Sequence, residues 1–277
     1  MLKIKRPALD PALQAELTRR QANVDRGKAG ADPWGDFTKH ESKQDAAKIS
    51  TVRAALRTVF HGKCAYCEAD DASEIEHHWP KAPHSKLNDN RGTVAGTFRW
   101  ENLMWSCHTC NSFECKGSHM KWNPSGRTLL LDPSTSGDDP FCYLTIEQKE
   151  DPDFKLGWMD PREELSDAAQ ARATYTLKRL KLNLRLTLLK GRARSIKRFN
   201  DLLASLREFG PDYAVRERRT VRVMFAELLA PEEPYLAGIR QQLRQDTALR
   251  EELLTKMPEL RELVEAWDLP PDDCAAL

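Results

Sequence analysis

Cys64-Ala-Tyr-Cys67, Glu74-Ile-Glu-His-His-Trp-Pro80 and Cys107-His-Thr-Cys110-Asn111 are the stretches from which the rest of the chain is best read. The two CxxC pairs are separated by 39 residues. A CxxC knuckle turns tightly enough to aim two thiolates at one tetrahedral Zn²⁺, with Zn–S near ~2.3 Å, and a second knuckle completes the shell. A redox motif needs only one pair, and structural disulfides are rare in a cytosolic chain. Four buried cysteines that share nothing are the plain alternative. Two matched pairs instead predict a structural zinc held by Cys64, Cys67, Cys107 and Cys110. The interval is longer than in an ordinary zinc ribbon, so it carries something more than a turn.

Inside that interval Glu76 stands directly before His77 and His78. An acid beside a histidine offers a metal-binding carboxylate next to a general base. Phosphodiester hydrolysis can use the pair: a divalent ion neutralises charge on the scissile phosphate while a neutral imidazole takes a proton from water. A lone histidine is more often packed or simply exposed; a Glu-His-His run framed by two knuckles shifts the reading toward chemistry. Asn111 follows the last cysteine at the start of a short helix, where an amide oxygen could complete a cation site. Asn102 is placed to hydrogen-bond across the loop and hold the imidazole-bearing segment. For either asparagine taken alone, a helix cap or turn is the ordinary role. Strand alternation puts Glu76 and His78 on one face and His77 on the other, so period alone makes His78 the companion of Glu76. Spacing to Pro80 and Asn111 favours His77.

In order, CxxC, acid-His-x-x-Pro, Asn-Leu and CxxC-Asn resemble the HNH endonuclease family over roughly residues 61–120. The resemblance implies a ββα-metal unit in which a hairpin and a helix clasp one divalent ion, Mg²⁺ or Mn²⁺. Residue by residue, His77 matches the general base, Glu76 the metal-binding acid, Asn102 the central asparagine and Asn111 the final ligand position. The sequence departs from the family twice. Glu76 replaces the more usual Asp, and Asn111 is followed by Ser-Phe-Glu-Cys-Lys-Gly, two residues longer before Lys116 than the family's CNxxKG. Cys115, one helical turn from Asn111, and His119 are therefore candidate auxiliary ligands. Further out, CAYCE, EIEHHWPK, WENLMWSCHTCNS, LLLDPS and DDPFCYL occur in an order similar to that of the HNH nuclease subunit of Septu-type anti-phage defence, also found beside retrons. That resemblance implies a partner, an ABC/SMC-like ATPase. The chain itself has no GxxxxGK[ST] phosphate loop.

The flanks read as helix. Amphipathic stretches are expected from about Pro11 to Arg26 and Glu41 to Phe60. From Ser166 onward helices are expected at Pro211–Leu229, Pro234–Leu254 and Pro258–Trp267 as well as around Leu177–Leu180 and Leu184–Leu206, with Asn183 between the last two. Thr128–Leu131 and Phe141–Ile146 read as short strands. The tryptophans 79, 100, 105 and 122 read as core of the metal module.

Of 277 residues, 43 are Lys or Arg and 42 Asp or Glu, a net +1 that names no partner. By segment the charge is polarised: +5 over residues 1–60, −6 over 61–160, +9 over 161–224 and −7 over 225–277. From Lys178 to Arg198 there are nine basic residues and no acidic one, namely Lys178, Arg179, Lys181, Arg185, Lys190, Arg192, Arg194, Lys197 and Arg198. A solvated helix ordinarily mixes both signs, so the run predicts contact with nucleic-acid phosphates, which positions a substrate without reading its sequence. An acidic partner is the competing reading, and DNA and RNA stay open. No run approaches the ~20 apolar residues of a membrane span, and Met1–Asp10 lacks a signal peptide's apolar run. The expectation is a cytoplasmic protein with no membrane partner.

The expected fold is α+β, mainly helical, around a central zinc-stapled ββα-metal module. The expected domains are an N-terminal helical segment (1–60), the nuclease module with a following short β segment (61–160), and a helical docking domain (161–277). The expected activity is metal-dependent endonucleolytic hydrolysis of nucleic acid, controlled by the ATPase. The alternatives are a non-catalytic zinc module that binds nucleic acid or assembles a complex, and a standalone restriction-type nuclease.

Overall fold

A computed structural model of the protein describes residues 4, 6–29, 32–38, 43–79, 96–117, 121, 128–134, 138–208 and 215–265. Pro80, His119, Trp122 and Cys274 lie outside the described residues. Among the described residues the chain is mainly helical α+β with two small antiparallel sheets. Of the described residues, 4–66 and 71–138 form one compact unit, and 67–70 with 139–265 form another.

The first unit opens with α1 (Pro11–Asp25), started by Asp10, whose carboxylate accepts from the backbone N–H of Ala12 and Leu13. It continues through α2 (Pro33–Thr38) and α3 (Lys43–Val59). Leu13 and Leu17 of α1, Trp34 and Phe37 of α2, and Ile49, Val52 and Leu56 of α3 are buried at helical spacing. Strands β1 (Glu74–His77) and β2 (Leu103–Ser106) pair antiparallel, with Glu74 opposite Ser106 and His77 opposite Leu103. α3 packs on both strands. A one-turn helix, α4 (His108–Asn111), follows β2 directly and lies on β1. The expected strand at Thr128–Leu131 does not form.

At the N-terminus, Ile4 donates to the Pro133 carbonyl (2.7 Å). Arg6 sends its guanidinium to the carbonyls of Trp100 (2.9 Å) and Leu103, over the rings of Phe60 and Trp100. It thereby braces the 3₁₀ turn Trp100–Asn102 that leads into β2. Burial lowers the Arg6 pKa to about 10, still well above neutrality, so the brace keeps its charge.

In the second unit α5 (Pro140–Tyr143) precedes a hairpin of β3 (Leu144–Glu150) and β4 (Lys155–Pro161). The strand expected over Phe141–Ile146 is therefore half helical turn. Asp139 caps that turn, accepting from Phe141 N–H (3.0 Å), and Pro140 at the first helical position starts it. β4 was not anticipated as a distinct strand. Asp151 and Phe154, bonded backbone to backbone in both directions, close the hairpin turn.

α6 (Asp167–Arg179), capped by Ser166, and α7 (Leu186–Glu208) both pack on β4. Asn183 between them clamps the backbone N–H and C=O of Met159 on β4. α8 (Val215–Leu229), α9 (Ala237–Gln245), α10 (Thr247–Lys256), a 3₁₀ turn at Pro258–Leu260 and α11 (Arg261–Glu265) complete the unit. The expected helix Pro234–Leu254 is two helices. Asp246 breaks it by leaving helical geometry (φ −106, ψ 89) and accepting from Leu249 N–H (2.8 Å), the role for which a short carboxylate is suited. Leu243, Leu253 and Leu260 are buried, so the apolar side chains of this acidic segment form core.

β4 and α7 approach closely at Gly157, where a Cβ would lie 2.4 Å from Cβ of Arg192. Only glycine fits there. Among the described residues no helix is long and apolar enough to cross a membrane.

Candidate active site and metal centre

The sulfurs of Cys64, Cys67, Cys107 and Cys110 lie within 4.8 Å of one another, and all four residues are buried. Tetrahedral Zn–S bonds of ~2.3 Å place sulfurs about 3.8 Å apart, so the four form a group that could hold zinc. Local geometry supports thiolate ligands. The Cys110 N–H points at the Cys107 sulfur (3.5 Å), and the Ser106 hydroxyl lies 3.7 Å from the Cys64 sulfur. Among the described residues this is the one group of three or more His, Cys, Asp or Glu placed for a metal ion. Cys115 is buried but stands outside it. Because α4 ends at Asn111 and Ser112 is already extended (φ −64, ψ 159), Asn111 and Cys115 do not share a helical face. The helical-turn expectation for Cys115 is corrected on that ground.

His77 ends β1 with its ring buried edge-on against Trp34 (centroids 4.5 Å) and its Nε2 2.9 Å from the Thr97 carbonyl oxygen. A carbonyl oxygen has no proton to give, so Nε2 carries the N–H, and in the neutral ring Nδ1 is the accepting nitrogen. His78 is fully buried on the opposite face, its Nδ1 3.4 Å from the Tyr66 hydroxyl. Burial, with Glu76, Asp132 and the sulfurs of Cys64 and Cys110 nearby, pushes the Tyr66 phenol well above its ordinary pKa and keeps it protonated.

Asn102 spans the loop. Its Oδ1 accepts from Trp79 N–H (2.6 Å), and its Nδ2 donates to the carbonyls of Trp79 (3.0 Å) and Gly96 (2.9 Å). A side chain at Gly96 would collide with this amide, its Cβ 2.8 Å from Asn102 Nδ2. The clasp joins Trp79, two residues after His77, to Gly96, directly before Thr97. Asn102→Ala would strand three backbone groups, two of them around a buried amide, at about 1–3 kcal/mol each before relaxation. The expected outcome is a loss of roughly 2–4 kcal/mol in urea unfolding followed by tryptophan fluorescence.

Glu76 is buried and ion-paired with Lys116, itself 2% exposed. The same ammonium donates to the carbonyls of His77 and Gly117. Asn111, from α4, meets a different acid. Its Nδ2 donates to Glu74 Oε2 (2.7 Å), two residues back along β1, while His108 Nδ1 lies 2.8 Å from Glu74 Oε1. That hydrogen bond raises the His108 pKa above its ordinary value. Glu74, His108 and Thr97 escaped sequence reasoning as site residues, and Lys116 entered it only through its spacing from Asn111. Glu74 alone carried a signal, as the second acid in phase with Glu76 on the strand.

The basic run is not uniform. Lys178, Arg194 and Lys197 are exposed, and Lys197 pairs with Asp201 one turn on. Arg179, Lys181, Arg185, Lys190 and Arg198 are half-buried; Lys190 sits over the Phe154 ring and Arg198 pairs with Glu233. Arg192 is buried, donating to the carbonyls of Leu182 (3.0 Å) and Gly157 (3.3 Å), and burial brings its pKa down to about 10. A phosphate cannot reach it, so Arg192 leaves the predicted contact set and joins the core. Position 192 falls on the same helical stripe as Leu188, Ile196 and Phe199.

No family model matches the chain. The chain is similar to the Septu protein PtuB of Bacillus mycoides (strain KBAB4), 29% identical over 157 residues, which cover 50% of this chain and 52% of that protein. The chain thus spans about half the length of the curated relative it matches. The similarity to a Septu protein thus rests on about half of each chain.

Proposed function

We propose that the protein is a metal-dependent HNH endonuclease of the ββα-metal type, the nuclease of a Septu-type anti-phage defence system whose cutting is controlled by a partner ABC/SMC-like ATPase. The observation that carries the reading is the orientation of His77. The Thr97 carbonyl holds its Nε2 proton, which makes Nδ1 the basic nitrogen, and Trp34 fixes the ring. Asn102 pins the loop that supplies the Thr97 carbonyl and so acts as the positioning residue. A zinc ion on the four cysteines would tie α4 to the Cys64–Cys67 turn ahead of β1, and Asn111 of α4 donates to Glu74 on that strand. A bound Mg²⁺ or Mn²⁺ would neutralise charge on the scissile phosphate and the leaving oxygen. The family pattern would have Asn111 hold that ion together with Glu76. His77 would take the proton from water, and the exposed basic residues Lys178, Arg194 and Lys197 would hold the nucleic-acid backbone.

One observation favours the non-catalytic zinc module as the second reading: Lys116 already neutralises Glu76. Cleavage of phage DNA, host DNA and total RNA in Mg²⁺ or Mn²⁺, with and without the partner ATPase, separates the two. Cutting that His77→Ala removes supports the nuclease. Equal cutting by both proteins would overturn the assignment of His77.

The basic residues make a separate prediction. Lys178→Ala or Arg194→Ala is expected to weaken nucleic-acid binding on all sequences alike. Each should reduce the magnitude of the salt slope of log K by about 1, read by fluorescence anisotropy from 50 to 200 mM salt. Arg192→Ala is expected instead to destabilise the fold by roughly 2–4 kcal/mol, because it removes buried hydrogen bonds and packing.

A further inference from the structure

We propose that the divalent cation of this module is bound by Glu74, His108 and Asn111, and that Glu76 serves as the buried anchor of Lys116. The proposal deepens the nuclease reading, which says what the ion is for, while resting on geometry for where it binds. Three observations converge on it.

The Glu76 carboxylate is already matched. It lies in the interior, 6% exposed, against the ammonium of Lys116, which also donates to the His77 and Gly117 carbonyls. Three acceptors satisfy the three protons of a lysine. A dication arriving at Glu76 would displace this ammonium or sit beside it with both charges desolvated, and either outcome is costly. Lys116 occupies the place a cation would take.

The Glu74 side chain is 34% exposed, and the two groups that reach it come from one turn of helix. His108 and Asn111 are three residues apart on α4, so they share the face turned to β1. His108 Nδ1 and Asn111 Nδ2 approach the two carboxylate oxygens at 2.8 and 2.7 Å. Each is a side chain that can ligate. The imidazole binds through the same Nδ1 once its proton leaves, and a half-turn of the Asn111 amide exchanges Nδ2 for Oδ1. One carboxylate, one imidazole and one amide oxygen make a three-donor set that leaves positions open for water and phosphate.

The set is also held rigidly. His108 and Asn111 bracket Cys110 and follow Cys107, so the cysteine knuckle aims both. His108 is 83% exposed at its side chain, which leaves the site open to a phosphate. The imidazole sets the choice of ion: nitrogen donors suit Mn²⁺ better than Mg²⁺.

Mn²⁺ binding to the full zinc-loaded chain, followed by electron paramagnetic resonance, tests the assignment independently of cleavage. Glu74→Gln, His108→Ala and Asn111→Ala are each expected to raise the Mn²⁺ Kd about tenfold or more. Glu76→Gln should leave it within about threefold while zinc content stays at one per chain. If Glu76→Gln proves unstable because Lys116 is stranded, the double variant Glu76→Gln/Lys116→Met removes both buried charges and should bind Mn²⁺ like the parent. Loss of Mn²⁺ from either Glu76 variant with zinc retained, unchanged binding in Glu74→Gln, or no Mn²⁺ binding by the parent would each overturn the site. A parent that binds Mn²⁺ through Glu74 yet cuts no nucleic acid would leave this site standing and remove the nuclease reading instead.

Discussion

Cys107→Ser is expected to purify without its metal and without an ordered β1–β2–α4 region. Cys107 supplies one of four converging sulfurs, caps α4 and joins that helix to β2 in a single residue. α4 is one turn long, and β1 and β2 have four residues each. Helices and hairpins of that size do not stand alone in water. A zinc ion on these sulfurs would supply the difference: structural sites of this kind contribute about 10–16 kcal/mol of apparent binding energy at neutral pH, which is folding energy where the site forms only with the fold. Elemental analysis should give one zinc per parent chain and less than half of that in the variant. Limited proteolysis should open residues 64–117 in the variant and spare the helices of the second unit. Full zinc occupancy with three cysteines, or equal protection of both proteins, would remove the zinc assignment.

His77→Ala is expected to lower cleavage by about 10²–10⁴-fold, the contribution of a positioned general base, with zinc content unchanged. The readout that separates chemistry from packing is the comparison with His78→Ala. His78 is fully buried beside Tyr66. Its replacement should cost stability, roughly 1–3 kcal/mol for the lost packing and the stranded phenol, while keeping most of the activity under conditions where the variant stays folded. The reverse pattern would hand the base role to His78, the histidine that strand period alone favours. Thr97 acts through its main chain, so substitution of its side chain should leave cleavage close to parental.

How much of this was readable from the sequence depends on how far apart the partners lie. The cysteine pairs were readable because each knuckle is four residues long and the chemistry of four thiolates admits few other uses. The helices were readable wherever a stripe such as Ile49, Val52 and Leu56 repeats. The break at Asp246 was missed because the apolar stripe runs through it, and only the capping of Leu249 gives it away. Glu74 was passed over because its partners stand 34 and 37 residues away, across a strand register that no local pattern fixes. Lys116 was noted only as a spacing anomaly, although it closes on Glu76 across the module. Arg192 was misjudged by counting charge along the run instead of around the helix: its phase matches Leu188 and Ile196, and charge was no guide to exposure.

The brevity of α4 has a consequence for the life of the protein. If zinc holds Cys107, before this four-residue helix, and Cys110, within it, the helix would not form before the metal arrives, and neither His108 nor Asn111 would have an address in the freshly made chain. Ribosomal output would then be an inert precursor, and competence would begin when a zinc ion is acquired. A cell starved of zinc would accumulate a full complement of chains and almost no working module, with metal supply setting the timing of maturation.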